Sequence, residues 1–230
     1  MGVINPIQGL FSCQLSLLAD AVITNTADFK RFLSIWSSKI YSIPNFSTIG
    51  EPQYIPTLQE RNRDLVVFGS SDRNRVYQSG ITDLIKLCGR LEIKRILDIG
   101  QINPTDLSQL EEKVQVVRMG PQPAAVVSQI MTDSVAGLFD YGRFPRHLGK
   151  SSVYAAYCAH GLLPIGNDYY PSEADHVFNN KHYLVLSKMA HDTATPDWSL
   201  YQTVAHAAHD WYGNHTIAKC ANLFKECIEK

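Results

Sequence analysis

Residues 140–167, DYGRFPRHLGKSSVYAAYCAHGLLPIGN, decide how this chain is read. An apolar strand pattern, 134–139, leads into an irregular loop rich in Gly, Pro and Arg. Lys150-Ser151-Ser152 then opens a helix of small residues, Gly161 closes it, and a second apolar run follows at 162–165. A cation and two hydroxyls at a helix start suit a phosphate, because the first-turn N–H groups lack intrahelical acceptors and the helix dipole favours negative charge there. The same residues also suit an ordinary serine cap beside a solvated lysine. The rest of the chain has to decide between the two.

Upstream, apolar runs alternate with helical patterns. Run 65–68 ends at Gly69, and residues 75–91 place Ile81, Leu84, Ile85 and Cys88 on one helix face. Run 94–99 stops at Gly100; Pro104 and Thr105 begin a short helix to Glu112; run 114–119 stops at Gly120. Pro123 suits the first turn of a helix reaching about Met131. The pattern predicts an α/β fold, a Rossmann-like parallel sheet with helices on both faces.

Such sheets bind ligands at the carboxyl ends of their strands, where strand order reverses. Three loops fall there: Gly69, Ser70, Arg73 and Arg75 after the first strand, Gly120 after the third, and Asp140 through Lys150, Ser151 and Ser152 after the fourth. Guanidinium groups bind phosphate through two parallel bonds, and glycine lets the backbone approach closely. The spacing matches neither a P-loop nor a dinucleotide fingerprint.

The 230 residues suffice for one or two domains; 45% are apolar and the net charge is −1. That balance argues against an electrostatically driven nucleic-acid binder. Five cysteines without C-x-x-C spacing, and a start lacking the marks of a signal peptide, predict reduced thiols in a cytoplasmic protein. No apolar run reaches membrane-spanning length, which leaves attachment at a membrane surface open. Residues 1–57 hold a strand candidate in AVITNT, a helix at 27–36, a strand candidate at 39–43 and a turn-rich connector, too few elements for a sheet of their own.

LADAVITNT, KIYSIPNFSTIGE, DLVVFGSSDRNR, the 140–167 stretch and WYGNHTIAKCANLFKECIEK together resemble the C-terminal half of a GT-B glycosyltransferase. In that architecture two Rossmann-like domains face each other and the second holds the nucleotide-sugar donor. The resemblance implies a remnant of the N-terminal domain and connector at 1–57, a donor-binding domain at 58–200, and a helical segment at 201–230 returning to the remnant. It implies a nucleoside diphosphate-sugar as ligand, no cofactor, and a separate N-terminal half or partner chain. Its donor-site residues would be Gly69, Ser70, Arg73, Arg75, Gly120, Asp140, Lys150, Ser151 and Ser152, with Arg73, Arg75 and Lys150 offsetting diphosphate charge, a role this fold can fill without a metal. Retaining members often carry a pair of glutamates whose places here hold Leu148 and Ala156. A non-catalytic binding or interaction module and a UDP-sugar epimerase-like enzyme are the alternatives.

Other candidates carry less. His206, His209, Asp210 and His215 lack the H-E-x-x-H pattern of a zinc site, and a polar or packing face is the expected role. His147 is a ligand candidate in the loop, and His160 suits a helix C-terminus as a cation. Asp168 and Glu173 are sugar-contact candidates whose simpler role is turn formation around Pro171. The cluster Tyr154, Tyr157, Tyr169 and Tyr170 offers a ring to stack on a base, whereas Tyr154 and Tyr157, at helical spacing, are expected to pack. No catalytic residue is assigned.

Overall fold

The computed structural model describes residues 6–78, 80–102, 105–142, 146–169 and 175–229. In chain order the elements are α1 (Pro6–Leu18), β1 (Val22–Thr24), α2 (Ala27–Leu33), β2 (Ile40–Ser42), β3 (Asn62–Phe68), α3 (Arg75–Gln78), α4 (Ile81–Arg90) and β4 (Arg95–Ile99). There follow α5 (Ser108–Glu111), β5 (Gln115–Gly120), α6 (Ala124–Asp133), β6 (Ser134–Leu138), α7 (Ser152–Ala159), β7 (Leu163–Gly166), β8 (Leu184–Val185), α8 (Leu186–His191), α9 (Trp198–Tyr212) and α10 (Ile217–Ile228).

β3 to β8 form one six-stranded sheet in the order β5-β4-β3-β6-β7-β8, with every neighbouring pair parallel. The chain steps outward from β3 to β5, returns through α6, and steps outward again from β6 to β8. Strand order therefore reverses between β3 and β6, the geometry that opens a crevice at the carboxyl edge.

The predicted Rossmann-like sheet is thus present, and the alternation of β3 shows why. Leu65 and Val67 enter the core beside Leu84 and Leu87 of α4, while Val66 enters the opposite core with Val127, Met131, Tyr154 and Tyr157. Both faces are covered, so its residues read as a continuous apolar run. On the second face the Tyr157 ring lies against β6 where a Cβ on Gly137 would come within 2.7 Å of it. Its hydroxyl accepts from Phe68 N–H at 3.0 Å and lies 3.1 Å from the carbonyls of Val66 and Leu138. Tyr157 thereby ties β3 to β6 where the two strands part.

Several boundaries differ from expectation. The 75–91 helix is divided into α3 and α4, with Gly80 at the start of the second. The helix expected up to Glu112 is only α5, and Pro104 lies outside the described residues. Residues 148–150 form a 3₁₀ turn, so the helix begins at Ser152 and not at Lys150. β8, too short for a periodicity, escapes sequence reading.

Residues before 44 do make a sheet, against expectation: α2 carries the chain back and β1 pairs with β2 in parallel. α1 buries Gly9, Cys13 and Ser16 and exposes Leu10, Phe11, Leu15 and Leu18. The C-terminal helices reach the connector through Glu51, whose Oε1 accepts from the Tyr212 hydroxyl at 2.6 Å and from Ile217 N–H at 2.8 Å. The five cysteines are unbridged and each lies in a helix.

Candidate functional site

β3 ends at Phe68 and β6 at Leu138, and the segments that follow diverge around a cleft of about 230 Å³. Gly69, Ser70, Arg73, Arg75, Asp140, Lys150, Ser151 and Ser152 all line it, together with Val153 and Tyr141. Gly120 does not line it. It ends β5, two strands from β3, where its carbonyl accepts from Gly100 N–H at 3.1 Å.

The cations are held differently. Arg73 is buried: Nε donates to Asp98 Oδ1 at 2.6 Å and Nη1 to the Ser70 carbonyl at 3.2 Å. Asp98 Oδ2 accepts from the Tyr77 hydroxyl at 3.1 Å. Burial, and then the Asp98 charge, push the Tyr77 phenol up, so it stays protonated and donates. The loop fits this pair only because residue 100 is glycine. Its φ is +142°, and a Cβ there would stand 2.1 Å from the Gly69 carbonyl oxygen. Arg75 is 45% exposed at its side chain, with Nε 3.7 Å from Oδ2 of the buried Asp140, whose Oδ1 accepts from Gly142 N–H at 2.6 Å.

Ser151 has the capping role that serine commonly takes: its Oγ accepts from Tyr154 N–H at 3.1 Å, and α7 starts beside the cleft. Lys150 closes the 3₁₀ turn, and its Nζ lies 5.8 Å from the centre of the Phe29 ring of α2. The cap and the phosphate readings are therefore compatible, since the hydroxyl serves the helix while the helix start faces the cleft.

The remaining candidates lie apart. His147 Nε2 is 3.6 Å from Asp28 Oδ2 of α2. His160 is no cation: burial lowers its pKa to about 4, with Nδ1 against the Ala156 carbonyl at 2.7 Å and Nε2 against Ser128 Oγ at 2.8 Å. His209 Nδ1 meets the Cys158 carbonyl at 3.0 Å, and His215 packs on the rings of Trp211 and Tyr212. No group of His, Cys, Asp or Glu among the described residues could hold a metal ion. Asp168 pairs with Lys188 at 2.9 Å and accepts from Asn179 at 2.7 Å. Tyr154, Tyr157 and Tyr169 join Phe139 in an aromatic core. Tyr170, Pro171 and Glu173 lie outside the described residues.

No family model matches the chain, and no curated protein matches it in sequence. Solved structures do match in shape. A mutant of TarM from S. aureus, in complex with fondaparinux, alpha-GlcNAc-glycerol and UDP, superposes with a TM-score of 0.67 at 11% identity, over 100% of this chain and 49% of that one. The pneumococcal O-GlcNAc transferase GtfA, in complex with UDP and GlcNAc, gives 0.62 at 15% identity, over 95% of this chain and 46% of that one. An alpha-glucosyltransferase in complex with UDP gives 0.55 at 12% identity, over 95% and 68%.

The fold is that of a GT-B glycosyltransferase half. The chain spans about half the length of the first two GT-B structures. At the two places where the resemblance puts glutamates, Leu148 and Ala156 are buried in the apolar core of the α7 face. No helix among the described residues is long and apolar enough to cross a membrane.

Asp98, Tyr77 and Tyr157 were not singled out by sequence as parts of the cleft's frame. Asp98 left a signal, as a lone carboxylate inside the apolar run of β4. The hydroxyls of the two tyrosines left none.

Proposed function

We propose that this chain is the donor-binding part of a glycosyltransferase and takes a nucleoside diphosphate-sugar in the cleft between β3 and β6. Residues 58–200 form the donor unit, 1–57 the end of a facing unit with its connector, and 201–230 the helical return onto it. The observation that carries the reading is the convergence, at the strand-order reversal, of Arg75 and Lys150 with the start of α7, from segments far apart in sequence. Arg75 and Lys150 offset the diphosphate charge and stabilise the leaving nucleotide, whose negative charge grows as the glycosidic bond breaks. Arg73, locked to Asp98, shapes the loop that presents Gly69 and Ser70. The acceptor belongs to a facing part that meets α1 and the β1–β2 pair. Two parallel strands and an apolar outer helix are less than a stable unit normally needs.

UDP is the first probe, because solved structures of this fold hold it. Calorimetry is expected to show binding of UDP to the native chain, and Arg75→Ala with Lys150→Ala to abolish it while the circular dichroism of the folded chain stays unchanged. No heat with UDP, GDP or ADP at millimolar ligand defeats the reading.

Leu148 and Ala156 favour a second reading, a binding module that keeps the fold without turnover. Release of sugar from a labelled donor, once a facing part is supplied, separates the two.

A further inference from the structure

The turn that carries Lys150 is held from outside the six-stranded unit. Asn45 follows β2, and its backbone N–H donates to the Gly149 carbonyl at 3.2 Å while its side-chain Nδ2 donates to the Lys150 carbonyl. Its Oδ1 accepts from Asn25 Nδ2 at 2.9 Å, beside the end of β1. The amide orientation follows from the partners, since a carbonyl only accepts and Nδ2 must face it. α2 adds Asp28 opposite His147 and Phe29 beneath Lys150. The β1–β2 unit thus meets residues 147–150 from one side, and on the other side the chain passes straight into Ser151, the cap of α7, and the cleft. The turn's own bonds, Lys150 N–H to the His147 carbonyl and Ser151 N–H to the Leu148 carbonyl, are local. They leave the Gly149 and Lys150 carbonyls for Asn45.

We propose that Asn45, oriented by Asn25, is a positioning residue for the cleft: it fixes the Gly149–Lys150 backbone so that Lys150, Ser151 and Ser152 stand where an anionic ligand meets them. The inference rests on reading the cleft as a nucleotide site. Asn45 acts through the main chain and touches no ligand. It follows that affinity in the cleft is coupled to order in the β1–β2 unit. A partner docking on that unit changes nucleotide affinity, and nucleotide changes partner affinity by the same factor.

The test uses the full chain, with Asn45→Ala, Asn25→Ala and the double variant, UDP calorimetry, and hydrogen exchange without ligand. Asn45→Ala keeps the backbone N–H and adds no charge. It is expected to weaken UDP binding about threefold to tenfold, the scale of one hydrogen bond, and to speed exchange at residues 148–155 while β3 and β6 keep their protection. Asn25→Ala acts in the same direction more weakly. The double variant is no worse than Asn45→Ala alone, because both work through one contact. Unchanged exchange at 148–155 overturns the proposal whatever happens to affinity, and so does faster exchange spread through β3 and β6, which would make Asn45 a general stability residue. Native-like UDP affinity with a loosened turn overturns it too. A native chain that ignores UDP defeats the nucleotide reading itself; in that case faster exchange confined to 148–155 keeps the role of Asn45 in holding the turn.

Discussion

Arg73 Nε donates to Asp98 Oδ1 at 2.6 Å across the carboxyl ends of β3 and β4, and both side chains are at least 93% shielded from solvent. The pair divides labour among the basic residues of the cleft. Arg73 is a strut, whereas Arg75, half-exposed beside Asp140, and Lys150, on its turn, are the cations placed at the mouth.

Removing one partner of the strut strands the other as a buried charge. Arg73→Ala is expected to cost about 3–5 kcal/mol in urea unfolding, and Arg75→Ala clearly less, because the Arg75 side chain is 45% exposed and its contact with Asp140 is long, at 3.7 Å. Equal effects from the two substitutions would contradict this division.

Tyr157→Phe removes the hydroxyl that accepts from Phe68 N–H at 3.0 Å and leaves that part-buried group without its acceptor. The expected cost is about 1–3 kcal/mol, measured by thermal or urea unfolding. Gly137→Ala should be worse than its small size suggests, because its methyl meets the Tyr157 ring at 2.7 Å.

His160 and His215 are buried, and desolvation lowers each pKa to about 4 from 6.5. The unfolded chain therefore takes up protons at these sites before the folded one does. Stability is full above pH 6.5 and falls between 6.5 and 4, by about 1.4 kcal/mol per pH unit for each histidine. Melting temperature against pH should decline through that window, and His160→Gln should flatten the slope. A profile level down to pH 4.5 would sink the assignment.

Glu51 holds the Tyr212 hydroxyl and the first N–H of α10 with one oxygen. Glu51→Ala should cost about 1.5–3 kcal/mol, the value of hydrogen bonds to a charged group. Exchange should rise through residues 217–228 while β3 and β4 stay protected. Unchanged protection in α10 would show that its apolar contacts suffice.

The sheet was legible because its strands are short apolar runs ended by Gly69, Gly100 and Gly120, and the helices between them carry one apolar face. The cleft was legible because location follows from topology: loops at the carboxyl ends of β3 and β6 must meet once strand order reverses there. Eight of the nine residues read from sequence do line it, and Gly120 fails because which strand adjoins β3 is not written in the β5 run. The roles within the cleft were hidden. Arg73 and Arg75 look alike in SSDRNR, and only packing buries one against Asp98 and leaves the other at the mouth. Asn45 and Lys150, 105 positions apart, have no local signature of their contact. Sequence by itself determined the periodicities, the strand stops and the chemistry of each loop, since these depend on backbone preference and near neighbours. Tertiary structure alone decided which charges are paired and which segment holds Lys150, because burial and long-range hydrogen bonds exist only once the chain has closed on itself.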